Sequence, residues 1–225
     1  RVEELLGLRF TDRPEDLWRG LKDLARARQE APEALLDRLT SAPLGEAEVD
    51  LLAPHLTVGE TYFFRDLDTL EALRDPAFPE LLRRGGPVRV WCAACSTGEE
   101  AYTVAMLAQE GSTPLPPDRL TLLGTDLNGA ALRKARRGHY TRWSFRGVPR
   151  TWMERFFVPL PDGVHSVRPR YRQGVTFRED NLLDPGSPFP DGAKADVVLC
   201  RNVLIYFSEE TIRRVLGRLA EGLSP

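Results

Sequence analysis

The sequence predicts an α/β fold, a mainly parallel sheet with helices on both faces, preceded by an all-helical N-terminal part. Three observations carry this. From Val88 onward, short apolar runs alternate with amphipathic stretches. The first such unit, VRVWCAACSTGEEAYTVAMLAQE from Val88 to Glu110, reads as a buried strand, a tight turn of small residues and a helix opening on two carboxylates. Before about residue 57, by contrast, apolar residues recur at helical spacing between short polar breaks.

Taken in order, the segment Glu15 to Arg28 places Leu17, Leu21 and Leu24 on one helical face and Arg19, Lys22 and Arg26 on the other. That basic stripe is either a solvated surface or a docking face for an acidic partner. Further helices are expected over Pro32–Thr40 and Gly45–Leu56. The segment TVGETYFFRD, Thr57 to Asp66, is too apolar for a free linker. It is expected to pack between the two parts and to offer Thr61 and Arg65 to a ligand lying in the seam. The domain division is therefore 1–66 and 67–225. Strands are read at Val88–Ala93, Leu120–Thr125, Val175–Glu179 and Ala195–Cys200, and helices at Glu99–Glu110, Gly129–Arg137, Pro149–Phe157 and Glu209–Gly222. The last helix has Ser208 as N-cap, acids at Glu209 and Glu210, and an expected apolar face through Ile212, Val215, Leu216, Leu219 and Leu223. Between residues 159 and 174 the rhythm breaks. Alternating runs at His165–Arg168 and Arg170–Arg172 predict a small hairpin inserted into the sheet domain.

Composition narrows the class. The chain has 225 residues, 42% hydrophobic and 28% charged, which suits a globular protein with a substantial core. A formal net charge of −2, with no basic groove apparent, argues against nucleic-acid binding. No apolar run approaches the roughly 20 residues that span a bilayer. Three cysteines make an odd set without a disulfide framework, which favours a reducing cytoplasm. Cys92 and Cys95 form a C-x-x-C, but His55, His139 and His165 lack ligand spacing, so the cysteines read as packing residues and no metal is expected.

The loop from Ala93 to Gly98 has one glycine and no lysine, a poor cradle for a diphosphate. Its small residues, beginning with Ala93, still let a ligand lie against the backbone. S-adenosylmethionine (AdoMet), with adenosine and an amino-acid tail but no phosphate, fits better. Glu99 would then meet its ammonium group and Asp126, ending the second strand, its ribose hydroxyls; the bland reading of Glu99 and Glu100 is a favourable pair of first-turn acids. Asn181 stands just past a strand end, where an amide can read an adenine edge. Arg201 and Asn202 come straight off the buried run Val197–Cys200. Ligands in open parallel sheets bind at these carboxyl ends.

The blocks WCAACSTGEEAYTVAM, LLGTDLNGAALRKARRGHY and CRNVLIYFSEETIRRVL resemble the signature segments of CheR-type chemotaxis-receptor glutamate methyltransferases. The resemblance extends through TVGETYFFRD and the helical N-terminus. It implies a Rossmann-like AdoMet-dependent methyltransferase domain with a small β insert, joined to the N-terminal helices. Carried over by position, the cofactor contacts are Thr61, Arg65, Glu99, Asp126, Asn181, Leu182, Arg201 and Asn202, and Tyr206 lies near the transferring methyl. The family converts receptor glutamates on a long cytoplasmic helical bundle to methyl esters and releases S-adenosylhomocysteine. That implies Arg19, Lys22 and Arg26 as the acceptor-holding face. Arg65 and Tyr206 are the residues expected to orient the acceptor carboxylate, with Arg65 serving the cofactor's own carboxylate as the alternative.

Three departures accompany the resemblance. Gly59 stands where many members have Asn, removing a side-chain contact to the cofactor. The insert is short, so its grip on a receptor tail peptide is not implied. A final β-hairpin is expected beyond Leu223-Ser224-Pro225. Competing classes are a receptor-docking scaffold that binds AdoMet with little turnover, and a methyltransferase acting on another acceptor, since fold and cofactor do not fix the acceptor.

Overall fold

The computed structural model describes residues 2–41 and 43–225. Helices α1 (Val2–Leu6), α2 (Pro14–Arg28), α3 (Pro32–Ser41) and α4 (Glu46–Leu56) form the N-terminal part. Pro14 begins α2, where its missing N–H costs nothing. The chain then runs through α5 (Leu67–Ala72) and α6 (Phe78–Arg84), separated by a wide turn that Pro76 and the non-helical Asp75 impose.

Four parallel strands follow: β1 (Val88–Ala93), β2 (Leu120–Asp126), β6 (Val175–Glu179) and β7 (Val197–Cys200), in the order β6-β2-β1-β7. Val88 of β1 pairs with Leu120, and Val90 with Val197. The connecting helices are α7 (Glu99–Glu110) and α8 (Gly129–Arg137), and α10 (Glu209–Glu221) follows β7. Ser208 caps α10 through Thr211 N–H. The alternating strand and helix rhythm thus yields the expected architecture. The fourth strand starts two residues later than expected, because Ala195 instead bridges to Leu223.

Strand alternation divides the apolar residues into two layers. Val88, Val90 and Cys92 of β1 face the layer containing α7, whereas Trp91 and Ala93 face the other. That second layer also contains Leu21, Leu24, Leu35 and Leu52 of the N-terminal helices and Val215 of α10. The N-terminal helices therefore share a continuous apolar layer with that face of the sheet.

The insert differs from the expected hairpin. It is a three-stranded antiparallel sheet in the order β3-β5-β4, built from β3 (His139–Tyr140), β4 (Phe157–Pro159) and β5 (His165–Val167), with α9 (Arg150–Phe156) before β4. The run Arg170–Arg172 belongs to a 3-10 turn, not a strand. Pro169 has no N–H for a ladder, and Tyr171 turns inward to full burial. The insert thus begins at residue 139, earlier than the expected 159.

Candidate active site

A cavity of about 1040 Å³, its open mouth included, lies at the C-terminal ends of the parallel strands, between them and the N-terminal helices. Its position follows from the fold, since strand ends and helix N-termini leave backbone groups free there. Several contacts between the two parts frame it. Leu8 bridges to Phe207, Arg9 N–H donates to the Tyr206 carbonyl at 2.7 Å, and Asn128 Nδ2 donates to Thr57 Oγ1 at 3.0 Å.

The loop after β1 is held tightly. Ala94 and Ser96 adopt left-handed φ of 57° and 50°, and Cys95 N–H donates to the Thr125 carbonyl at 2.8 Å. Its single glycine has a steric reason: a Cβ on Gly98 would stand 2.7 Å from Ala135 and 3.0 Å from the Phe177 ring. Asp126, closing β2, accepts from Ser96 N–H at 2.7 Å and Asn128 N–H at 2.8 Å. Burial pushes its carboxyl above the usual range, while these backbone donors oppose the rise.

Of the nine expected cofactor contacts, Thr61, Arg65, Asp126, Asn181, Leu182, Arg201 and Asn202 line the cavity, whereas Ala93 and Glu99 do not. Ala93 faces the second apolar layer and is 1% exposed; Ala94 takes the lining position. Glu99 is turned inward, 1% exposed, accepting from Thr97 Oγ1 at 2.6 Å and Ser144 Oγ at 2.8 Å. It pins the insert to α7. The carboxylate that reaches the cavity is Glu100, one residue round the helix. Adjacent acids in a first turn differ by about 100° in direction, and the sequence offers no signal to choose between them.

Glu100 accepts from Arg201 Nη1 at 2.8 Å, and Arg201 Nη2 donates to the Arg65 carbonyl at 2.8 Å and to Asp66 at 3.1 Å. Burial raises the Glu100 carboxyl, with the Arg201 charge opposing. This network holds the segment carrying Arg65, where Phe64 and Asp66 adopt left-handed φ of 60° and 49°. Thr103 Oγ1 supports it by accepting from Phe64 N–H at 3.1 Å. Arg65 Nη1 donates to the Glu60 carbonyl at 2.8 Å. The Asn181 amide is engaged within the protein: its Nδ2 donates to the Leu5 carbonyl at 2.9 Å and its Oδ1 accepts from Leu183 N–H at 3.0 Å. It therefore ties α1 to the loop as well as lining the cavity.

Ser96 Oγ is buried in the cavity wall with no hydrogen-bond partner among the described residues. The nearest atom to a Cβ placed on Gly59 is this same oxygen, at 3.6 Å. An orphaned hydroxyl, the acids Glu60, Glu100, Asp126 and Asp180, and the guanidinium groups of Arg65 and Arg201 suit a phosphate-free nucleoside with a zwitterionic tail. No Lys lines the cavity.

A second cavity, about 770 Å³, adjoins the first and shares Leu8, Thr57, Val58 and Tyr206 with it. Arg13 and Arg19 line it, and the Arg13 guanidinium lies 5.2 Å from the Tyr206 ring centroid. Arg19 is thus near Tyr206, whereas Lys22 and Arg26 line neither cavity. Arg19 pairs with Asp16 and Arg26 with Asp23, one turn back in each case, so the stripe on α2 is partly neutralised. Arg13 precedes the periodic stretch Glu15–Arg28 and so carries no helical-spacing signal in the sequence.

Among the described residues, no group of three or more His, Cys, Asp or Glu side chains converges as a metal site. Burial pushes the thiols of Cys92 and Cys95 well up and that of Cys200 to about 12. No helix among the described residues is long and apolar enough to cross a membrane.

Comparison with known proteins adds to this geometry. The family described as "CheR methyltransferase, SAM binding domain" matches residues 59–225. The chain is 34% identical over 200 residues to "Chemotaxis protein methyltransferase Cher2" of Pseudomonas putida, covering 85% of this chain and 70% of that one. It is 36% identical over 182 residues to "Chemotaxis protein methyltransferase 1" of Pseudomonas aeruginosa, covering 78% and 65%. A third relative, "Probable biofilm formation methyltransferase WspC" of Pseudomonas putida, is 37% identical over 79% of this chain and 42% of its own. The chain thus spans about two thirds or less of these relatives' length.

Proposed function

This chain belongs to the CheR methyltransferase family, with an AdoMet-binding domain over 59–225, and we propose that it methylates glutamate side chains of chemoreceptors to methyl esters. One observation carries the reading: a cavity equipped for a zwitterionic nucleoside meets, at Tyr206, a second cavity bordered by Arg13 and Arg19 together with Asp16 and Asp23. Bound AdoMet supplies a methyl group on a sulfonium centre.

The protein's residues do the rest. Asp126 and Ser96 hold the ribose side, and Glu100 and Arg65 take opposite ends of the amino-acid tail. Arg201 keeps Glu100 and the Arg65 segment in register. A glutamate acceptor, with an ordinary pKa of about 4.3, is ionised near neutral pH, so no general base is required. Tyr206 orients the entering carboxylate by hydrogen bonding, and Arg65 adds its charge from the cofactor side. Alignment of the reacting atoms and exclusion of water supply the rate enhancement.

The test uses labelled AdoMet and a purified chemoreceptor cytoplasmic fragment, with release of label as methanol by alkali as the readout. Alkali-stable label would place the methyl on another acceptor atom and refute the reading. Binding of AdoMet without turnover would favour the scaffold alternative. Similarity to the biofilm-formation relative supports a second reading, in which the same reaction serves a receptor outside chemotaxis; exchange of the receptor fragment decides between them.

A further inference from the structure

The net charge of −2 conceals a strong asymmetry. Residues 129–178 contain 12 Lys and Arg against 2 Asp and Glu, while the remainder contains 19 against 31. Whole-chain charge therefore averages over one strongly basic segment and an acidic remainder. The basic segment comprises α8, the three-stranded insert and most of β6.

Neighbouring carboxylates neutralise only part of it. Glu110 serves both Arg155 and Arg170, Glu154 takes Arg150, and Glu60 takes Arg146. Arg133, Arg137 and Arg142 are exposed and make no ion pair with any described residue. Arg133 and Arg137 are four apart on α8, a like-charge spacing that destabilises a helix. Favourable interaction with the helix C-terminus accounts for Arg137 in the last turn, but not for Arg133 or Arg142. Eleven of the 12 cations are arginine, whose planar fork matches carboxylates in two-point contact. Beside Arg142, Trp143 is 66% exposed, with the Arg146 guanidinium 4.5 Å from its ring. Exposed Trp and Arg side by side are the residue types that anchor protein interfaces.

Both segments, α8 and the 142–146 turn, reach the cavity rim. Asn128 and Ala131, at the start of α8, line the cavity, as does Tyr62, on whose ring Arg146 rests at 3.9 Å. We propose that an acidic stretch of the acceptor protein docks on α8 and the 142–146 turn. In contrast to the expectation for α2, the acceptor's main electrostatic hold lies on the methyltransferase part. The proposal rests on the reading that the acceptor is a glutamate-bearing protein.

The test compares the chain with its Arg133→Glu/Arg137→Glu/Arg142→Glu variant, none of whose positions touches either cavity. Fluorescence anisotropy measures binding of a synthetic glutamate-rich helical peptide, with phosphatidylserine vesicles and a DNA duplex as parallel probes. Calorimetry measures AdoMet affinity, and alkali-released methanol gives kcat and KM for the chemoreceptor fragment. The expected result is salt-sensitive peptide binding that the variant loses at least tenfold, a similar rise in KM, and unchanged AdoMet affinity and kcat. A triple Arg→Gln variant should show a smaller loss in the same direction. Unchanged peptide affinity and KM, or tighter binding of vesicles or DNA than of peptide, would overturn the proposal. Absence of alkali-labile label with the wild-type chain would remove the glutamate reading, and the peptide measurement would still decide the docking.

Discussion

Arg218 offers the sharpest structural test. Its side chain is 6% exposed and its partner, that of Asp180, 5%. The guanidinium grips both Asp180 oxygens at 2.9 and 2.8 Å, donates to the carbonyls of Asn181 and Gly186, and lies 5.4 Å from the Trp91 ring centroid. It thereby joins α10, β1 and the loop that carries Asp180, Asn181 and Leu182 into the cavity wall. Arg218→Met leaves the buried Asp180 carboxylate with only the half-exposed Arg178, 3.8 Å away and outside hydrogen-bond reach, as counter-charge, a change that costs about 3–5 kcal/mol. At about 2–4 °C per kcal/mol for a chain of this size, the Tm should fall by roughly 6–20 °C. The double variant Arg218→Met/Asp180→Leu should regain most of that, because an apolar pair of similar volume needs no counter-charge. Thermal unfolding followed by circular dichroism measures all three proteins, and calorimetry reports the accompanying loss of AdoMet affinity in the single variant. A shift below about 2 °C, or a double variant as unstable as the single, would refute the reasoning.

Asp126→Asn should weaken AdoMet binding about 10–100-fold, the loss of a charge-assisted hydrogen bond worth roughly 1.5–3 kcal/mol, read by calorimetry. AdoMet affinity should also fall on acidification, starting above the ordinary carboxyl values of 3.8 and 4.5, because burial raises both Asp126 and Glu100. Their raised carboxyls favour the protonated form, so their contribution to fold stability declines as pH climbs through that same window, and paired binding and unfolding titrations should move in opposite directions. With their thiols pushed up by burial, Cys92, Cys95 and Cys200 should react with iodoacetamide near neutral pH far more slowly than free cysteine, as mass spectrometry can follow. Gly124→Ala should destabilise by about 1–3 kcal/mol, since the new methyl would stand 2.7 Å from the Phe177 ring and 2.9 Å from Cys95 Sγ; denaturant unfolding reads the difference.

Much of this was legible in the residues because the local signals agreed. Val88–Ala93, Glu99–Glu110 and Gly129–Arg137 follow strict apolar periods with turn residues at their ends, and their observed limits match the expected ones. Asp126 and Arg201 were visible as polar residues placed directly on buried strands. What failed depends on contacts distant in sequence. Choosing Glu100 over Glu99 requires knowing that Ser144, 45 residues away, takes the other carboxylate. The pairing of β5 with β3 and β4 depends on short segments without clear alternation. Arg13 and Ser96 carry no pattern at all; their significance arises from what the fold sets beside them. The basic segment is masked in the total charge because the 31 acids against 19 bases elsewhere in the chain cancel its excess.

The neck at Tyr206, where the two cavities share a wall, has a kinetic consequence. On the proposed reading, donor and acceptor would sit in two cavities that share Leu8, Thr57, Val58 and Tyr206. Exchange of the spent donor would then not require the acceptor to leave, and several glutamates could be modified in one encounter.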